Sequence, residues 1–217
     1  MKIIVPIFII FTSFVIGKSF LDSIRISVEA DRQNAMSQNE VSFEDSDEVE
    51  LRETIRQNSR SQKIRIQVYK KKRRLYLYRG NELIKEYKIA LSDKNVGDKN
   101  KAGDRRTPEG LYYICQKNDR SRYYKTLGIS YPNIQDAKRG LSKGRITQQE
   151  YRTIVKKQKA LKRPSWNTSL GGHVSIIGQS NLATSGDWTH GDIALQNDEI
   201  DELFKIIELK TEIRIYP

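Results

Sequence analysis

Residues 64–91 read IRIQVYKKKRRLYLYRGNELIKEYKIAL, and this stretch decides the fold. Apolar side chains alternate with polar ones from Ile64 to Val68, a spacing typical of a strand with one buried face. The pattern repeats from Leu75 to Tyr78, ahead of Gly80-Asn81. A Gly-Asn pair between two such runs predicts a tight hairpin turn, because both residues tolerate positive φ. The sequence therefore predicts that a β domain begins near residue 61.

The hairpin is followed by further strand-like runs. A turn at Thr107–Gly110, in which proline fixes φ, leads into an extended run from Leu111 to Cys115. Near the end of the chain, Ile213 and Ile215 alternate with polar residues in a closing strand.

Two helices are predicted between these strands. Thr147 and Glu150 have the spacing of a capping box, and the apolar positions behind them predict a helix from Thr147 to Arg163. Apolar residues recur at helical spacing between Asn197 and Leu209. The predicted fold class is mainly β with these two flanking helices.

The first 60 residues differ in character from the rest. Residues 1–21 are nearly uncharged apart from Lys2 and Lys18, which predicts a signal peptide or a membrane anchor through residues 3–21. Residues 22–60 hold few large apolar side chains and an acidic run, so they predict a flexible acidic tether, with a short helix near Val49–Ile55 as an alternative. Residues 61–217 form the predicted domain, exported to the periplasm or cell envelope.

Charge divides along the same boundary. Residues 1–60 contain 7 Lys and Arg against 10 Asp and Glu, whereas residues 61–217 contain 32 against 17. A basic domain favours anionic partners, which in an envelope include wall polymers, phospholipid headgroups and peptide carboxylates. For an exported protein, nucleic acid is not expected. One face of the first predicted helix is especially basic, with Lys156, Lys157, Lys159, Lys162 and Arg163.

Three stretches carry a family resemblance. They read GDRRTPEGLY (residues 103–112), LGISYPN (residues 127–133) and DWTHGDIAL (residues 187–195). Together and in this order they resemble the L,D-transpeptidase (YkuD-type) catalytic domain, in the subgroup whose active-site strand reads D-W-T-x-G-C-I-A. The resemblance implies a β-sandwich-like fold of two packed sheets and a transferase activity on peptidoglycan stem peptides in cell wall biogenesis, without a cofactor or a metal.

The resemblance also identifies two departures from the family's chemistry. In that family a cysteine thiolate attacks the acyl carbon of a tetrapeptide stem, and a histidine takes the thiol proton. Asp192 stands at the nucleophile position and Ile177 at the base position. A carboxylate is a weaker nucleophile than a thiolate, and isoleucine cannot accept a proton. We therefore expect a catalytically impaired pseudoenzyme, with an active transpeptidase or murein-peptide hydrolase of altered site as the alternative.

Other motif positions are candidate site residues. His190 and Gly191 match the [S/T]-H-G-C motif, although this histidine is not the family's base. Arg105 and Arg106 have the fork geometry to grip a substrate carboxylate. Trp188 and Thr189 complete the candidate substrate-binding set, with a packed aromatic as the alternative role of the tryptophan.

Three alternatives remain open at this point. Asp192, His190 and His173 could form a new acid-base or zinc site, since imidazole and carboxylate are zinc ligands. Cys115 could replace the missing thiol, although its strand-like surroundings favour a buried, inert side chain. The protein could also be a polyanion-binding scaffold that uses its basic helix.

Overall fold

The computed structural model describes residues 47–54, 63–179 and 186–217. Within these ranges, no helix has the length and apolar character needed to span a bilayer. The predicted signal peptide or anchor (residues 1–21) and most of the predicted tether lie outside the described residues. Contacts group the chain from Glu48 to Pro217 into one compact unit.

Residues 47–54 form helix α1, inside the segment predicted to be a tether. Leu51 of this helix is buried against Tyr113 and Ile134. This part of the segment therefore packs on the domain. The observed helix corresponds to the short helix expected near Val49–Ile55.

In the described part of the chain, eight strands form one mixed sheet. Their order across the sheet is β3-β2-β1-β8-β4-β5-β6-β7. The last strand, β8, runs parallel to β1 and antiparallel to β4, so it lies inside the sheet. In chain order the strands are β1 (Ile64–Tyr69), β2 (Arg74–Arg79), β3 (Glu82–Lys88), β4 (Gly110–Ser121), β5 (Tyr124–Ile129), β6 (Ser175–Gly178), β7 (Ile193–Leu195) and β8 (Glu212–Tyr216).

The mainly β fold class is confirmed, and the structure adds that the two expected sheets are joined into one. Strand β4 is 12 residues long, about twice the length of its neighbours. Its first part, Gly110–Tyr113, pairs with β8, and its later part, from Ile114 onward, pairs with β5. Two half-sheets therefore share one long strand, because β4 is long enough to serve a different partner at each end.

The core follows the alternation read from the sequence. Ile66, Val68, Leu75 and Leu77 are at most 1% exposed, and Ile213 of β8 joins the same apolar cluster. The predicted hairpin is also confirmed, since β2 and β3 pair antiparallel on either side of Gly80-Asn81. Large apolar side chains on one face of each strand thus fill the space enclosed by the sheet.

The two predicted helices are present but shorter than expected. Helix α3 (Gln148–Lys159) starts at the Thr147 capping box. It ends before Arg163 because Leu161 takes a positive φ of 49° and its backbone N–H donates a hydrogen bond to the Gln158 carbonyl. Helix α4 (Asn197–Ile206) likewise ends three residues before Leu209, where the chain at Ile207 is already extended.

A further helix, α2 (Ile134–Ser142), was missed by the sequence reading. Asn133 and Asp136 form its capping box, in which each side chain accepts a hydrogen bond from the other residue's backbone N–H. The apolar side of this helix is hard to recognise in the sequence because it includes Gly140, which has no side chain. Gly140 packs so closely against Leu170 that an added Cβ would lie 2.7 Å from the leucine side chain. The described part of the chain therefore contains four helices, α1 to α4.

The sheet closes on itself at a seam just after β3. Ala90 and Ala194 exchange two backbone hydrogen bonds, at 3.0 and 2.9 Å. The carbonyl of Leu91 accepts hydrogen bonds from the amides of Trp188 and Thr189, at 2.8 and 2.9 Å. Strand β7 at one end of the sheet is thereby joined to the chain leaving β3 at the other end, which gives a barrel-like shape.

Asp187 anchors this seam through its carboxylate. It accepts hydrogen bonds from the Leu91 amide at 3.0 Å and from the Arg73 guanidinium. Burial alone would raise the pKa of Asp187, but the hydrogen bonds from Arg73 and Leu91 outweigh it, so the pKa lies below its usual value. The ionised carboxylate is therefore the form that stabilises the seam.

Replacing Asp187 by asparagine is expected to destabilise the fold in a pH-dependent way. Asp187→Asn should lower the free energy of unfolding at neutral pH by about 1 to 3 kcal/mol, the cost of weakening charge-assisted hydrogen bonds. Because the folded pKa is depressed, this stabilisation exists above the unfolded pKa of about 3.9 and disappears as pH falls through the folded value. Urea denaturation of both proteins from neutral to acid pH measures the difference. Asp119→Asn, at an exposed carboxylate, is the control, and a pH-independent difference for Asp187→Asn would contradict the assignment.

Candidate functional site

The seam places Asp192 immediately before strand β7. Thr189, which is 1% exposed, donates its hydroxyl to the Asp192 carbonyl at 2.8 Å. The amide of Gly191 lies 3.4 Å from the same hydroxyl oxygen. Thr189 therefore shapes the turn that presents Asp192, and its predicted substrate contact stays a prediction.

Gly191 is required where this turn meets the 103–110 segment. Its φ is 117°, and a Cβ added there would lie 2.8 Å from the Arg106 carbonyl oxygen. A side chain would thus be both strained and in collision with backbone. The first and third motifs, far apart in the sequence, are in contact at this point.

The Asp192 carboxylate is partly buried and held by backbone. One carboxylate oxygen accepts a hydrogen bond from the Ser175 amide at 2.9 Å. Burial raises the pKa of Asp192 to about 6, although that hydrogen bond and the positive charges of Lys99 and Arg122 act in the opposite direction. A carboxyl group in this state can change protonation near neutral pH.

Ile177 occupies the neighbouring strand on the same face of the sheet. It pairs with Ala194, two residues beyond Asp192, and it lies two residues beyond Ser175. Side chains two residues apart on a strand share a face. Ile177 is 1% exposed and packs with Ala90, Ala194 and Trp188. The strand register therefore places Ile177 next to the segment that carries Asp192, and the Ile177 side chain lies in an apolar cluster.

Trp188 belongs to this cluster, as its alternative role predicted. It is partly buried against the apolar residues around Ile177. The backbone N–H of Trp188 donates a hydrogen bond to the Leu91 carbonyl. Its indole N–H is buried and has no hydrogen-bond acceptor in the described part of the chain.

The two histidines do not combine with Asp192 into a metal site. Both are exposed, and the ring of His173 lies against Trp166, with centroids 4.4 Å apart. Across residues 47–54, 63–179 and 186–217, no group of three His, Cys, Asp or Glu side chains could hold a metal ion. The electrostatic influence of His190 acts to lower the pKa of Asp192.

The two candidate arginines are engaged by the protein itself. Arg105, at a φ of 60°, forms an ion pair with Asp93 at 2.8 Å. The Arg106 guanidinium donates to the Asp98 carbonyl at 3.3 Å. Neither geometry contains a substrate, so their role in gripping a carboxylate stays a prediction.

Cys115 does not replace the missing thiol. It lies on β4, and β5 and β6 separate that strand from β7. Its side chain packs beside the cluster of Leu51, Tyr113 and Ile134. Burial raises the pKa of the thiol to about 12, so the reactive thiolate is absent at neutral pH.

Sequence reasoning missed Lys99 and Asp104, which organise the loop of residues 99–106 next to the site. Asp104 accepts hydrogen bonds from the Lys99 ammonium at 2.7 Å and from three backbone amides, those of Asn100, Lys101 and Arg106. Lys99 is only 5% exposed. The aspartate of the first motif could have indicated an organised loop, but the Ser175 amide leaves no trace in a sequence because every residue except proline has one.

Comparison with known proteins follows the same segments. The family model for the YkuD L,D-transpeptidase catalytic domain matches residues 63–215. YafK from Escherichia coli K12 is 38% identical over 82 residues, which is 35% of this chain and 33% of YafK. The alignment thus covers about a third of that relative's length.

Solved structures give weaker matches. Bd1075 from Bdellovibrio bacteriovorus is 20% identical with a TM-score of 0.48, over 72% of this chain and 48% of that one. The helical cell shape determining protein Pgp2 from Campylobacter jejuni is 21% identical with a TM-score of 0.45, over 70% of this chain and 46% of that one.

Adding a methyl group at Gly191 should disturb the contact between the two motifs. Gly191→Ala is expected to lower the free energy of unfolding by about 1 to 3 kcal/mol, through backbone strain and overlap with Arg106. Gly103→Ala is the matched control, because Gly103 also has a positive φ of 72° but has open space around its α-carbon. Equal losses for the two variants in chemical denaturation would contradict the close contact.

The carboxyl group of Asp192 should titrate well above an ordinary aspartate. Carbon-detected NMR of the side-chain carboxyl is expected to give a midpoint near 6. Because the folded pKa is raised, the wild type should lose stability relative to Asp192→Asn as pH rises from about 4 to 6, the interval between the unfolded and folded values. A midpoint near the ordinary value of about 3.9 would refute the burial of this group.

Proposed function

Because this chain belongs to the YkuD L,D-transpeptidase catalytic domain family, we propose that it is an envelope pseudoenzyme that binds peptidoglycan stem peptides. In this proposal it has lost the covalent chemistry of the family. Binding would use the surface around Asp192 and Gly191, and residues 1–21 would direct export or hold the protein at the inner membrane.

One observation supports the proposal: the strand register places Ile177 beside the segment that carries Asp192, and the family resemblance assigns these two residues to the base and nucleophile positions. A carboxylate attack on an amide would give a mixed anhydride, a high-energy acyl intermediate. Ile177, packed among Ala90, Ala194 and Trp188, offers no atom that could accept a proton. The covalent route therefore lacks both of its side-chain participants.

The backbone of the site supports retained binding. The turn at Gly191 is held by Thr189, and the seam at Leu91 fixes the segment that contains it. The +15 balance of residues 61–217, with 32 basic and 17 acidic side chains, favours the carboxylates of a stem peptide or another anionic envelope polymer. A fold preserved around an altered site is typical of a protein that binds without turnover.

A second candidate function is hydrolysis of murein peptides with an altered mechanism. The observation that favours it is the pKa of about 6 at Asp192, which suits a general base near neutral pH. In that mechanism Asp192 would take a proton from water while the water oxygen attacks the amide carbon; the C–N bond would then break, and the protonated Asp192 would return the proton to the leaving amine nitrogen. No covalent intermediate would form on the protein.

Titration with tetrapeptide-bearing muropeptides separates these functions. The purified full-length chain is expected to bind them by calorimetry, while mass spectrometry finds no exchanged or hydrolysed product. The double variant Asp192→Cys, Ile177→His should gain transpeptidation, at least about 100-fold over the wild type, because it restores nucleophile and base together.

The single variant Asp192→Cys is the matched control. Its thiol has no neighbouring base, so its activity should stay far below that of the double variant. Turnover by the unaltered protein that is abolished in Asp192→Asn would establish the hydrolase instead. Absence of muropeptide binding in every variant would favour the polyanion-binding scaffold instead. The binding of polyanions by that scaffold would weaken steeply with salt and would not change with substitutions at Asp192.

A further inference from the structure

A basic groove lies between the 92–106 loop and the end of helix α2. Its cavity is about 520 Å³ in volume. Five positive side chains line it, and they come from both segments: Lys94, Lys101, Arg106, Lys143 and Arg145. We refer to this set as the basic groove.

The acidic side chains of the same cavity are already neutralised. Asp93 pairs with Arg105 at 2.8 Å. Asp104 pairs with the buried Lys99 at 2.7 Å and also accepts three backbone hydrogen bonds. Neither carboxylate is therefore left to balance the five cations of the groove.

The two arginines are held in place and the three lysines extend into solvent. Arg145 donates to the Asn100 carbonyl at 3.1 Å, and Arg106 donates to the Asp98 carbonyl at 3.3 Å. Lys94, Lys101 and Lys143 are exposed, and none of them forms an ion pair with another described residue. Like charges gathered in a concave surface repel one another, and a bound anion would relieve that repulsion.

We propose that the basic groove binds phosphate groups of an anionic envelope polymer. Each phosphodiester of such a polymer carries one negative charge, and its closely repeated phosphates bring several charges to the five cations at once. The planar fork of arginine also matches the oxygens of a phosphate. The cavity is large enough for more than one such group.

The basic groove shares one residue with the proposed stem-peptide site. Arg106 belongs to both regions, since its backbone carbonyl faces Gly191 while its side chain lines the groove. Within the described part of the chain, the three lysine side chains make no hydrogen bond to Asp192 and do not belong to the apolar cluster of Ile177 and Trp188. Changing them therefore tests the groove without altering the other site.

The test uses tripolyphosphate as the probe and the full-length chain as the protein. Calorimetry is expected to show binding that weakens with added salt. The triple variant Lys94→Gln, Lys101→Gln, Lys143→Gln should lose at least about tenfold in affinity, as expected when charge-assisted contacts to phosphate are removed. These lysine side chains make no hydrogen bond to another described residue, so the fold should be unaffected.

The matched control removes the same charge from helix α3 and its continuation. Arg152→Gln, Lys156→Gln, Lys162→Gln changes three exposed cations outside the groove, and its affinity should fall by less than about threefold. Equal losses of tripolyphosphate affinity in the two triple variants would show that the overall positive charge, and not the groove, determines binding. Absence of tripolyphosphate binding by the wild type would also overturn the proposal.

Two further measurements identify the source of phosphate and the independence of the groove. Soluble poly(glycerol phosphate) and vesicles of phosphatidylcholine with phosphatidylglycerol are compared. Groove-dependent binding to the polymer supports the proposal, whereas groove-dependent binding to the vesicles alone would overturn the polymer as the source of phosphate. Muropeptide binding should be the same in the wild type and the groove variant. Its loss in that variant would merge the groove with the stem-peptide site and overturn the separate assignment.

Discussion

The structure depends on the seam at Ala90 and Leu91. These two residues leave β3 at one end of the sheet and hydrogen-bond to the 187–194 segment at the other end. The closure buries the apolar faces of both half-sheets, which would otherwise require separate cover. It also fixes the position of Asp192, because the segment that carries this residue is the one that closes the sheet.

The first motif supports the site through charges that are buried and internally paired. Lys70 is 2% exposed, and it donates to the carbonyls of Gly97 and Thr107 as well as to Glu109. Burial lowers the pKa of Lys70, while the carboxylate of Glu109 acts in the opposite direction. Lys99 and Asp104 form the equivalent pair on the other side of the loop. A buried charge is costly unless its partners are held in place, so these pairs specify a single loop conformation.

Much of the fold could be predicted from the sequence, because strands with one buried face leave a period of two. The alternation around Ile66 and Leu75, the Gly80-Asn81 turn and the Thr147 capping box each have a local cause and each led to the correct element. Helix α2 was missed since its apolar side includes Gly140, whose packing against Leu170 adds no apolar side chain to the pattern. The sharing of β4 between two partners depends on tertiary pairing, which the strand's own residues do not encode.

The candidate site was predicted as a set of positions, and the strand register places Ile177 next to the segment that carries Asp192. The environments of those positions could not be predicted, because they depend on which backbone amide faces the Asp192 carboxylate and on how closely Trp188 covers Ile177. The position of β8 has a separate consequence for how the chain acquires its structure. This strand follows all the other described strands in the chain, yet it joins β1 to β4 in the middle of the sheet. Neither half can therefore complete its pairing before residues 212–216 are available, and the two halves expose unpaired strand edges until then.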